Sequence, residues 1–73
     1  MELDEVLSWL KNNGFSILET GNTASGLEVL VSTTGFSGDE LAELERIARC
    51  EVGFWVTPAS RKRIWVRLFF RVL

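Results

Sequence analysis

The sequence predicts a two-layer α+β sandwich, with both helices on one face of a four-stranded antiparallel sheet. Three observations predict it. Two segments carry apolar residues at helical spacing, and four carry them in alternation. Their order is α-β-β-α-β-β, an α-β-β unit used twice at a spacing of about 38 residues. Leu3, Val6 and Leu10 of the first unit correspond in pattern to Leu41, Leu44 and Ala48 of the second. Two such units bury their apolar faces by sharing one sheet.

Leu3, Val6, Leu7 and Leu10 fall at i, i+3, i+4 and i+7, one face of a helix. That helix is expected to stop at Asn13-Gly14, where glycine takes the left-handed conformation that ends helices. Phe15 to Thr20 reads as a strand with Phe15 and Ile17 on one side, and Gly21 to Gly26 as the loop after it. Leu27, Val29 and Val31 alternate along a second strand. The second helix has the strongest local signal. Ser37 and Glu40 stand in the S-x-x-E relation of a capping box, with Phe36 and Leu41 placed as a hydrophobic staple. Asp39 and Glu40 suit the positive end of its dipole, Arg46 and Arg49 the negative end. Leu41, Leu44 and Ala48 line its inner face, with Ile47 beside them. Val52, Phe54 and Val56 alternate on a third strand, Thr57-Pro58-Ala59-Ser60 forms a turn, and Arg61 to Val72 a long fourth strand.

This element order resembles a circularly permuted ferredoxin-like fold, which implies that the second and fourth strands lie at the centre of the sheet. The resemblance is one of topology and implies no activity.

A chain of 73 residues, 47% of them apolar, is one domain of ordinary globular composition. Cys50 is the only cysteine and there is no histidine, so an internal disulfide, a zinc site and the usual nucleophilic triads all lack their parts. No metal, cofactor or catalytic residue is assigned, and the chain is expected not to be an enzyme. An acidic start (Glu2, Asp4, Glu5) argues against a signal peptide, and Arg67 and Arg71 interrupt the longest apolar run. A cytoplasmic protein is the expectation. The net charge of −2 conceals a division. Residues 1–51 hold ten acids against Lys11, Arg46 and Arg49, whereas residues 52–73 hold Arg61, Lys62, Arg63, Arg67 and Arg71 and no acid.

If both helices cover one side of the sheet, the other side is free. Along the fourth strand Ile64, Val66, Leu68, Phe70 and Val72 must face the helices, and Arg61, Arg63, Trp65, Arg67, Phe69 and Arg71 the open side. Trp55 joins them from the third strand, and Leu18 and Leu30 from the first two. Solvated sheet faces usually carry threonine, lysine, glutamate and serine, and a cluster of aromatic and arginine side chains marks a binding surface instead. The structural alternative is that Glu28 and Glu51 pair across strands with Arg63 or Arg67 while the tryptophans cover arginine stems.

The expected partner is a protein, either a second copy in a homodimer or the target of a regulatory or inhibitory contact, because the face is more apolar than cationic. Single-stranded RNA or DNA is the alternative. There Arg61, Arg63, Arg67 and Arg71 would meet phosphates while Trp55, Trp65 and Phe69 stack on bases. The acids Glu19, Glu28 and Glu51 near that face count against it. Two further motifs carry little. Gly21 to Gly26 lacks the lysine and following helix of a phosphate loop. Leu7 to Gly14 distantly resembles the helix that names the LAGLIDADG homing endonucleases, but Asn13 stands where that family needs a metal-binding acid.

Overall fold

Three strands of strictly alternating pattern and two helices with clear ends leave little freedom in how this chain folds. The computed structural model describes residues 2–24 and 26–71. Its elements run α1 (Leu3–Asn12), β1 (Ser16–Thr23), β2 (Gly26–Thr33), α2 (Gly38–Ala48), β3 (Glu51–Pro58) and β4 (Ile64–Arg71). All pairings are antiparallel and the sheet order is β1-β2-β4-β3, so the second and fourth strands are central as expected.

α1 ends where the sequence requires it to. Gly14 adopts φ +84°, and the Asn13 side-chain amide donates to the Trp9 carbonyl at 2.8 Å. Asn13 is thus a helix-end residue. α2 starts on a complete capping box, in which the Ser37 hydroxyl accepts from the Glu40 N–H at 3.2 Å and the Glu40 carboxylate accepts from the Ser37 N–H at 2.9 Å. Its end is less expected, because Arg49 takes the left-handed conformation (φ 56°) that glycine usually supplies.

The core lies between the layers. Val6 and Leu10 of α1, Leu44 and Ala48 of α2, and Leu27, Val29, Val31, Val52, Val66, Leu68 and Phe70 of the sheet are all buried, with Phe15 joining them from the α1–β1 connection. Both helices therefore cover the same face. The inner face of α1 is narrower than expected at its start, since Leu3 is exposed. A file of rings runs along one side of the core from α1 to β3, with centroids 5.8 Å apart from Trp9 to Phe15, 5.9 Å from Phe15 to Phe36 and 5.4 Å from Phe36 to Phe54. The buried Thr33 hydroxyl donates to the Gly35 carbonyl at 3.0 Å, which shapes the turn into α2.

Four expectations need correction. β1 runs on to Thr23, so most of the Gly21–Gly26 segment is strand and the β1–β2 connection is short; Ser25 within it lies outside the described residues. β1 also carries a bulge at Leu18, between the pairs Ile17–Val31 and Glu19–Leu30. β4 starts at Ile64 instead of Arg61, because β3 continues through Pro58 and residues 59–63 make the turn. There the Ala59 and Ser60 N–H groups donate to the Arg63 carbonyl at 3.2 and 3.1 Å. Val72, expected to face the helices, lies outside the described residues.

The fourth correction concerns β3. Phe54 and Val56 point to the helix side, as alternation demands, yet are 48% and 43% exposed. Edge position explains this. At the same level of the sheet Leu68 and Val29, in line with Phe54, and Val66 and Val31, in line with Val56, are fully buried, so the helix layer reaches that height. β3 is the outer strand, with no neighbour on its far side, and its inner face is only partly covered.

Candidate functional site

On the side away from the helices, the strand registers set the side chains in rows. Across β1, β2, β4 and β3, one row reads Ser16, Ser32, Trp65, Thr57, and the next Glu19, Leu30, Arg67, Trp55. Then come Gly21, Glu28, Phe69, Gly53, and at the far end Thr23, Gly26, Arg71, Glu51. Trp55 is 69% exposed and Trp65 44%, with Phe69 and Leu18 also exposed. Leu30 lies half-buried between them. Gly53 beside Phe69 leaves that ring without a side chain on its β3 side, and a methyl group there would lie 3.9 Å from the Phe69 Cβ.

The aromatic residues singled out by alternation, Trp55, Trp65 and Phe69, are brought together on this face. So are Arg67 and Arg71. Arg61 is not, because it lies in the exposed 59–63 turn beside Lys62. Arg63 also precedes the strand but reaches back to the face. Its Nε donates to the Ser32 hydroxyl at 2.7 Å and its Nη2 to the Ser32 carbonyl at 2.9 Å. This two-pronged contact satisfies the buried Ser32 and holds the guanidinium against the sheet beside the Trp65 row.

The electrostatics differ from what the charge count of the C-terminal third suggests. Arg67 forms an ion pair with Glu28 from the neighbouring central strand. Arg71 faces Glu51 in register, although no ion pair joins them. The bulge at Leu18 turns Glu19 onto this face, opposite Leu30. The face thus carries Arg63, Arg67 and Arg71 against Glu19, Glu28 and Glu51, and is neutral. The sequence puts Glu19 near this face, but strict alternation through Ile17-Leu18-Glu19 would turn it to the helix side, and it is the one-residue bulge that sets it on the face itself.

Cys50 is half-buried at the end of α2, and burial pushes its thiol above the ordinary value, with the Glu45 carboxylate adding to the effect. A thiol shifted in that direction is a weaker nucleophile at neutral pH. Among the described residues, no group of acids and thiol has the arrangement to hold a metal ion, and no helix is long and apolar enough to cross a membrane. Comparisons of the chain with protein-family models, with characterised proteins and with solved structures find no match.

Proposed function

We propose that this chain is a non-enzymatic binding module, acting in the cytoplasm, whose open sheet face docks an apolar protein surface in a regulatory contact. The observation that carries this reading is a neutral face with exposed aromatic rings at its centre. Trp65, Phe69, Trp55 and Leu18 supply apolar area, and the charges around them are balanced and partly paired with one another. Such a face gains little from a polyanion, whose binding requires uncompensated positive charge. It suits the centre of a protein interface, where tryptophan and arginine are enriched and net charge is low.

Oligonucleotide titration separates this reading from nucleic-acid binding. Tryptophan fluorescence reports directly, because Trp55 and Trp65 lie on the face. The expected result is no saturable response to single-stranded DNA or RNA at physiological salt. A tight response that weakens steeply with salt and falls in Arg67→Ala and Arg71→Ala would move the assignment to nucleic acid.

A further inference from the structure

The two edges of the sheet are not alike. β1 is protected by its bulge at Leu18, by Glu19 and by Gly21. β3, whose sequence is Glu51-Val-Gly-Phe-Trp-Val-Thr-Pro58, has no bulge and no charge between Val52 and Thr57, with Phe54, Trp55 and Val56 all exposed. An edge of this kind is a template for another strand.

Its hydrogen-bonding groups can be assigned. The Val52 N–H donates to the Glu45 carboxylate at 3.2 Å, so it points away from β4. The Ala59 N–H donates to Arg63 across the hairpin, so it points toward β4. Alternation between the two then directs the N–H and C=O groups of Val52, Phe54 and Val56, and the C=O of Pro58, outward. Glu45 already occupies the first outward donor, and the last position is a proline with no N–H. Two outward donors remain, at Phe54 and Val56, on either side of Trp55.

We propose that β3 pairs with β3 of a second copy, antiparallel about a two-fold axis at Trp55, joining two four-stranded sheets into one of eight. This register uses both remaining donors. Phe54 of each copy exchanges N–H and C=O with Val56 of the other, giving four hydrogen bonds, and the two Trp55 side chains come together on the open face. A shift in either direction sets a Phe54 or Val56 carbonyl opposite Pro58 or the Glu45-bound Val52, neither of which has a free N–H to donate to it. Charge favours the same partner. The pairing runs the start of β3, where Glu45 and Glu51 outnumber Arg49, alongside the second copy's 59–63 turn with Arg61, Lys62 and Arg63. On the helix side, Phe54 and Val56 of one copy cover Val56 and Phe54 of the other. This proposal does not depend on what the open face binds, and it would make two such faces continuous across the axis.

The test is sedimentation of the full chain over a wide concentration range, with amide exchange at low and high concentration. The wild type is expected to pass from monomer to dimer, with the Phe54 and Val56 amides gaining protection on concentration and those of Trp55 and Thr57 protected throughout. Val56→Pro removes an outward donor without touching the β3–β4 ladder, and loses two of the four inter-copy hydrogen bonds. Its dimer should weaken about 10- to 100-fold. Val56→Lys, which keeps the N–H and sets a charge on the edge, provides a second route if the proline variant is unfolded, and should also be monomeric. Trp65→Glu, on the open face, should still dimerise. A wild type monomeric at all concentrations overturns the proposal, whatever foreign strand the edge then accepts. So does a dimer that persists in folded Val56→Lys, or one lost in Trp65→Glu alone, which would place self-association on the open face instead.

Discussion

Replacing Ser37 by alanine removes one half of the capping box and leaves the other. The hydroxyl accepts from the Glu40 N–H at 3.2 Å and donates to the Glu40 carboxylate, also at 3.2 Å, while the carboxylate independently accepts from the Ser37 N–H at 2.9 Å. Alanine forfeits the first two contacts. The Glu40 N–H then has only water to satisfy it at an exposed helix start, and caps of this type contribute about 0.5–2 kcal/mol. For a chain of this size, whose total stability is roughly 4–11 kcal/mol at 0.05–0.15 kcal/mol per residue, that is a large share. A loss of about 1 kcal/mol lowers the melting temperature by about 4–8 °C. Urea denaturation followed by circular dichroism reads it as a lower midpoint at unchanged slope. Ser37→Asp and Ser37→Asn keep an acceptor at the same place and should behave nearly as the wild type. Alanine without effect, or asparagine as damaging as alanine, would refute the capping argument.

Arg63→Ala should cost about 1–3 kcal/mol in the same assay, because it leaves the buried Ser32 hydroxyl and carbonyl without their donors, and Arg63→Lys should recover only part, since an ammonium lacks the planar fork. Arg49→Gly should raise the stability by up to about 1 kcal/mol, read as a higher denaturation midpoint, because glycine relieves the left-handed backbone at the end of α2. Since burial raises the Cys50 thiol, the stability it contributes is fully present below the unfolded thiol's pKa and is lost as pH rises through the folded one. Denaturation midpoints should therefore fall in the alkaline range in the wild type, and less so in Cys50→Ala.

What the sequence discloses depends on how local each feature is. The capping box at Ser37 and Glu40 and the stop at Asn13-Gly14 are complete within a few residues, and both form as expected. The central position of β2 and β4 is what the resemblance to a permuted ferredoxin-like order implies, and their inward series, Leu27, Val29, Val31 and Val66, Leu68, Phe70, is buried throughout. The bulge at Leu18 depends on the partner strand, and period-two reading passes straight through it. The start of β4 at Ile64 is set by the β3–β4 register, which centres the turn on Arg61, and alternation within one strand cannot fix that centre. The direction of Phe54 and Val56 was legible. Their exposure was not, because it comes from the place of β3 at the edge of the sheet, which alternation within the strand does not disclose. Of the open face, the aromatic residues were legible one by one, whereas its neutrality required the bulge, the Glu28–Arg67 pair and the anchoring of Arg63.

Photo-crosslinking from the open face in living cells tests the central claim most directly. A photoreactive phenylalanine analogue placed at Trp65 or Phe69 keeps an apolar ring in the position proposed to touch the partner, and the same group at exposed Ser8 on α1 is the control. The account predicts a discrete adduct from Trp65 and Phe69 that is sensitive to protease and insensitive to nuclease, and none from Ser8. An adduct removed by nuclease, or equal labelling from Ser8 and Trp65, would contradict it.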